Sequence, residues 1–255
     1  MNYRSGKPAT QIRFASVIGK VASGLVIGVL LVGCGVVPQH PPALGPVPTG
    51  SPTESIESSQ SSKQQSPDGF SSAQRLAVRV RNVGCAMLST GSGFALDEHT
   101  LVTNKHVVED STELQLETYD GHDIAVDASS AANFADLALV STIDPLPETA
   151  PIAKNDPEVG TTITIAGYPN GGALRVSEGE VLSIEDDPLG VNLGDVYYTS
   201  AQVEPGSSGS AALNEAGEII GVIYAKSGSG SLFVPVSTLH EMLDEDSATA
   251  LETTC

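Results

Sequence analysis

Between Leu76 and Pro235 the chain breaks into twelve short runs of β-forming residues, each closed by turn residues. That punctuation constrains the fold more than anything else in the sequence. Leu76–Val83, Gly93–Leu96, Leu101–Thr103, Glu113–Tyr119, Asp123–Ala128 and Leu137–Thr142 form one group. Thr161–Ala166, Ala173–Ile184, Tyr197–Val203, Ala211–Leu213, Ile219–Tyr224 and Ser231–Pro235 form another, after an irregular Asp144–Glu158 connection. Six strands, a connection and six more strands predict an all-β fold of two six-stranded antiparallel β-barrels. These would occupy residues of about 76–150 and 156–236. A C-terminal helix is expected over about 237–247, with Ser237 as N-cap and Leu239, Met242 and Leu243 on one face.

The chain ahead of this region has a different composition. Its first 33 residues hold Arg4, Lys7, Arg13 and Lys20 but no acid, and Val21 to Gly33 are apolar or small. Basic then apolar is the layout of an export signal, expected over 1–33. The apolar run is shorter than the roughly 20 residues a membrane span needs. Extending it backwards would bury Lys20 and Arg13, so a single-pass anchor is the second choice and simple secretion the third. Leu31-Val32-Gly33-Cys34 closes the run and resembles the bacterial lipobox, which implies lipidation at Cys34 by fatty-acyl chains of the palmitate class. Two such chains anchor stably where one is marginal. The expected location is the outer face of the bacterial cell membrane.

Residues 34–72 are rich in Pro, Ser, Gly and Gln and poor in large apolar side chains. Such a segment cannot offset its ordering entropy and reads as a disordered linker. Its end-to-end distance would be about 35 Å. The folded domain is expected over 73–255. Past residue 33 the chain carries eight basic residues against 31 acidic ones, a balance of −23. This charge disfavours nucleic acid and anionic lipid headgroups as partners. Three isolated cysteines offer no paired-ligand spacing, so no metal and no cofactor is expected. With Cys34 lipidated, Cys85 and Cys255 remain as one possible disulfide in an oxidising compartment.

Three residues carry the chemistry. A serine that attacks an amide needs a base to take its proton, and the base needs an acid to fix its tautomer. Ser208 lies in Pro205-Gly206-Ser207-Ser208-Gly209-Ser210, between two strand-like runs. Glycine at 206 permits the tight backbone that would aim the amides of Gly206 and Ser208 at one oxyanion. Of the five histidines only His106 follows a strand and opens a short apolar turn, Val107-Val108. Asp136 heads the apolar run Leu137 to Val140, whereas its competitors Asp123 and Asp127 sit on an alternating strand with an exposed face.

The order His, Asp, Ser resembles the trypsin-like (chymotrypsin-fold) serine peptidases, and within them the HtrA-like bacterial branch. The blocks that carry the resemblance are Gly91-Ser92-Gly93-Phe94, Leu101 to Val108, Ala135 to Leu139, Ile165 to Pro169, Gly179-Glu180-Val181, Pro205 to Ser210 and Gly217 to Val222. They cover most of residues 76–236 in the family's order. The resemblance implies an endopeptidase with its triad between two barrels, acting on protein or peptide substrates through an acyl-enzyme. Ser210 stands where the family has glycine, and its side chain is expected close to the substrate cleft. No room follows the terminal helix for a PDZ domain, so regulation of that kind is not expected. The residues lining the specificity pocket would be Ser200 to Glu204 and Tyr224 to Ser227. Lys226, with Ser200 and Ala201, points to a small or medium apolar P1 residue. The alternative is a peptidase-like domain that binds proteins without cleaving them. An α/β-hydrolase esterase fails on two counts, because its elbow wants glycine at 210 and no Asp lies between Ser208 and His240.

Overall fold

The computed structural model describes residues 67–244 and 247–251. The export signal, Cys34, most of the linker and Cys255 lie outside the described residues. Ser71 opens the folded region as the N-cap of α1 (Ser72–Leu76), in a capping box with Gln74. Just before it, the Phe70 ring meets Tyr119 edge-on with centroids 5.0 Å apart, so ordered packing begins within the expected linker.

The first half of the domain is a curled antiparallel sheet. Its strands are β1 (Ala77–Gly84), β2 (Leu88–Ala95), β3 (Thr100–Thr103), β4 (Ser111–Thr118), β5 (Asp123–Ile124), β6 (Val126–Ala132) and β7 (Ala138–Thr142). A one-turn helix, α2 (Lys105–Val108), leaves β3. The second half is a closed barrel of β8 (Thr162–Gly167), β9 (Arg175–Asp186), β10 (Asp195–Thr199), β11 (Ala211–Leu213), β12 (Ile219–Ser227) and β13 (Gly230–Pro235). Helix α3 (Val236–Asp244) follows, and then β14 (Ala248–Ala250). The all-β architecture expected from the strand pattern, and the chymotrypsin-like arrangement that the resemblance implies, are therefore present.

In detail the first half has eight strands rather than six, in the order β14-β6-β7-β3-β2-β1-β4-β5. The chain returns after α3 to pair Ala248–Ala250 with Ser130–Ala132 at the sheet's edge. Helix α3 starts at Val236, one residue before the expected N-cap. The Ser237 amide donates to Asp156 Oδ1 at 2.8 Å, so a carboxylate from the connection between the two halves serves its first turn.

Burial follows the alternation. Val78, Val80, Leu101, Leu116 and Val140 fill the sheet's concave side, and Ile163, Val181, Ile223 and Phe233 fill the barrel. A third cluster joins the halves, with Phe94, Val102 and Leu137 from the sheet against Ala211, Val222 and Val234 from the barrel. Each such side chain stabilises the fold by about 1.5–3 kcal/mol. No helix among the described residues is long and apolar enough to cross a membrane.

Candidate active site

His106 is placed by the turn that carries it. Val107 and Val108 are buried and anchor α2 in the sheet, leaving the imidazole side chain 44% exposed at the surface. A four-residue helix cannot satisfy its own carbonyls. Asn82, buried on β1, does so by donating its Nδ2 to Val107 O (3.0 Å) and Glu109 O (2.9 Å). Asn104 precedes the turn but does not cap it. Its amide donates instead to Asp136 O at 2.7 Å.

Asp136 is 6% exposed and faces His106 with both oxygens. Oδ2 lies 2.6 Å from the ring Nδ1, and Oδ1 accepts the His106 backbone N–H at 3.0 Å. This bidentate arrangement leaves Nε2 as the outward nitrogen. The Asp136 backbone is clamped at both ends, since its own N–H donates to Asn192 Oδ1 at 2.9 Å.

Ser208 follows β10 by an extended stretch. Across 206–210 the amides divide cleanly. Ser207 N donates to Glu204 O, Gly209 N to Ile223 O and Ser210 N to Ser207 O. The amides of Gly206 and Ser208 have no acceptor among the described hydrogen bonds. Gly206 holds φ +95°, where a Cβ would come within 2.7 Å of Asn170 N and Tyr168 O, so glycine is required there. The Ser208 hydroxyl donates to Tyr224 O at 3.2 Å. Gly91 brings the two halves of the site together: a Cβ there would meet the Val107 methyls at 2.5 and 2.6 Å and Ser208 O at 3.2 Å. The turn bearing His106 and the loop bearing Ser208 thus pack against one glycine.

Ser92 fastens the two halves and was visible in the sequence only as part of a motif. It is fully buried. Its N–H donates to Ser208 O (2.7 Å), its Oγ donates to Gly206 O (2.8 Å), and the same Oγ accepts Tyr168 N–H (3.0 Å). One hydroxyl from the sheet therefore fixes the peptide that follows the Gly206 amide.

Ser210 does not sit where the sequence placed it. It is fully buried, with its Oγ 2.2 Å from where a Cβ on Gly167 would stand. The side chain packs against that glycine, away from solvent.

On the other side of the acid, residues 187–192 form a loop around one carboxylate. Asp187 accepts from Leu189 N, Val191 N, Asn192 N and Asn192 Nδ2, all at 2.8 to 3.0 Å. Tyr224 OH donates to it at 2.6 Å. Burial pushes the Asp187 carboxyl up, but the bonds from Tyr224, Leu189 and Asn192 outweigh it and hold it below the usual carboxylate value. Burial and the same carboxylate push the Tyr224 phenol up. A groove of about 590 Å³ opens beside Gly206, bordered by Arg81, Leu88, Thr90, Asn170 and Gly171.

Known proteins resemble this chain in sequence and in fold. The trypsin-like peptidase domain matches residues 91–222. A probable periplasmic serine endoprotease DegP-like of Halomonas elongata is 29% identical over 166 residues, 62% of this chain and 35% of that protein. The mitochondrial serine protease HTRA2 of Bos taurus is 32% identical over 165 residues, 61% of this chain and 36% of that protein. The chain thus spans little more than a third of the length of these relatives. Among solved structures, the active form of the Rv3671c protease of Mycobacterium tuberculosis superposes with a TM-score of 0.64. It is 21% identical, and the overlap covers 71% of this chain and 84% of that one, which shows a shared fold.

Proposed function

Because this chain belongs to the trypsin-like peptidase family, we propose that it is a serine endopeptidase of the HtrA-like branch, with His106, Asp136 and Ser208 as its triad. The observation that carries the reading is the pair of uncommitted amides, Gly206 N and Ser208 N, on either side of a bonded one. Backbone donors left without partners beside a serine are what an oxyanion requires.

In this mechanism a substrate in the cleft displaces the Ser208 hydroxyl from Tyr224 O by rotation about its Cα–Cβ bond. The hydroxyl attacks the scissile carbonyl while His106 Nε2 takes its proton. Asp136 keeps the other ring proton on Nδ1 and stabilises the imidazolium. The two amides receive the tetrahedral oxyanion. His106 passes the proton to the leaving amine, and water then cleaves the acyl-enzyme by the same route reversed.

One feature favours the rival reading of a non-cleaving binding domain: the hydroxyl bonds a carbonyl rather than the imidazole. A fluorophosphonate probe separates the two. Labelling of the wild type that disappears in Ser208→Ala is the expected result, and a wild type that resists labelling would establish the binder.

A small or medium apolar P1 residue is proposed as the preferred substrate side chain. Its support is modified by the structure. Lys226 Nζ bonds both Glu204 oxygens at 2.9 and 3.0 Å, so its charge is offset. The preference therefore rests on the small residues ahead of the nucleophile, Ser200 and Ala201.

Export and lipid anchoring at Cys34 are proposed from the signal-like N-terminus, and the periplasmic name of the Halomonas relative supports export. Replacing Cys34 by Ser is expected to move the protein from the membrane to the soluble fraction; unchanged membrane retention would establish a helix anchor instead. The disulfide Cys85–Cys255 is proposed on the path of the tail. Leu251 lies in the same groove as Asp110, whose carbonyl accepts the Cys85 amide at 3.3 Å. Four residues then remain to Cys255, a reach of roughly 13 Å. Cys85 is itself a bonded half-cystine. Mass analysis of unreduced proteolytic fragments is expected to recover the two cysteines in one linked peptide.

A further inference from the structure

We propose that Asp187 is a positioning residue for the reaction, holding the triad acid and the nucleophile strand in one network from a loop that contains neither. The inference rests on the serine-peptidase reading above.

The chemistry of the carboxylate makes the network directional. Asp187 can only accept, so the Asn192 side chain must turn its Nδ2 toward it, at 3.0 Å. That leaves Asn192 Oδ1 facing the Asp136 N–H, at 2.9 Å. Asp187 and the Asp136 N–H thus demand the same orientation of the Asn192 amide, and Asn192 ties the peptide on which the triad acid is mounted to the Asp187 loop. Asn104 fixes the other end of Asp136, through its carbonyl.

The second branch runs through Tyr224. Its phenol donates to Asp187 Oδ1 at 2.6 Å, while its main-chain carbonyl accepts the Ser208 hydroxyl at 3.2 Å. One carboxylate thus ties the strand beside the nucleophile to the peptide of the acid. The charged groups around the Tyr224 phenol are Asp187, Asp136 and Glu185. Asn192 is buried, whereas Leu189, Val191 and Leu193 beside it are exposed. The loop accordingly owes its form to the polar centre and not to apolar packing.

An asparagine at 187 cannot accept at both positions: its NH2 would face either the Leu189 N–H or the Val191 and Asn192 donors. The loop must then shift, and Asn192 carries that shift to the Asp136 N–H. Displacement of a catalytic group by about 1 Å costs on the order of 10² in rate.

The test uses the full chain with Asp187→Asn, and Tyr224→Phe as a second variant that leaves the loop amides bonded to Asp187. In Asp187→Asn, kcat on a peptide substrate is expected to fall about 10- to 100-fold with KM within about twofold. Tyr224→Phe should fall between wild type and Asp187→Asn. Activity lost only in step with the folded fraction by circular dichroism would overturn the proposal. A third readout needs no turnover: the proton NMR resonance of His106 Nδ1–H in a Ser208→Ala background should shift or broaden when Asp187→Asn is added. An unaltered resonance would overturn the positioning role by itself. Absence of any Ser208-dependent hydrolysis in the wild type would instead overturn the parent reading.

Discussion

Asp136→Asn is expected to lower kcat by about 10⁴ while leaving the fold intact. Asp136 meets His106 with two acceptors, one on Nδ1 at 2.6 Å and one on the backbone N–H at 3.0 Å. An asparagine can keep only one of them. If its oxygen stays on the backbone N–H, its amide nitrogen donates to Nδ1 and drives the ring proton to Nε2. The imidazole then offers no lone pair to the serine. Its backbone would still be held by Asn104 and Asn192, so stability should change little. Turnover measured beside a denaturation curve checks this. A loss below tenfold in a folded variant would remove Asp136 from the triad.

Gly209→Ala is expected to destabilise the protein by about 3 kcal/mol or more, through strain and overpacking together. Gly209 holds φ +90°, and a Cβ there would lie 1.9 Å from Ser92 O and 2.4 Å from Thr103 Oγ1. Neither atom can yield freely. Ser92 O accepts the Thr103 hydroxyl at 2.7 Å, and Ser92 N–H holds Ser208 O. Relief would require the sheet and the barrel to part at the nucleophile. The urea midpoint of the variant reports the loss. A change under about 1 kcal/mol would mean that this approach relaxes cheaply.

The sequence disclosed those parts of the molecule that depend on local pattern. Strands with alternating burial were legible, as in Val78 and Val80 against Arg79 and Arg81. The glycine-flanked serine, the histidine after a strand and the acid heading an apolar run were legible for the same reason. What escaped notice depends on partners distant in the chain. Asn82, Asn104 and Asn192 look like ordinary polar residues until the fold sets each against a particular carbonyl or amide. Ser92 reads as a motif serine, and its N–H and hydroxyl reach residues 168, 206 and 208. Ser210 was misplaced because a missing glycine in a motif says nothing about direction. Gly167, on a neighbouring strand, supplies the space it occupies. Strand β14 has only Ala248-Thr249-Ala250, without apolar alternation, and exists because β6 offers an unpaired edge.

That late pairing sets an order of events. Residues 130–132 emerge more than a hundred positions before their partners at 248–250, and the segment between them includes the entire barrel. The sheet bearing the histidine and the acid consequently keeps a bare margin until residues 248–250 have been made. Unsheltered strand margins of this kind recruit other chains, and distant pairings form slowly. Self-completion is thus tied to residues 248–250, and a nascent copy would threaten its neighbours least where folding waits until that stretch is available.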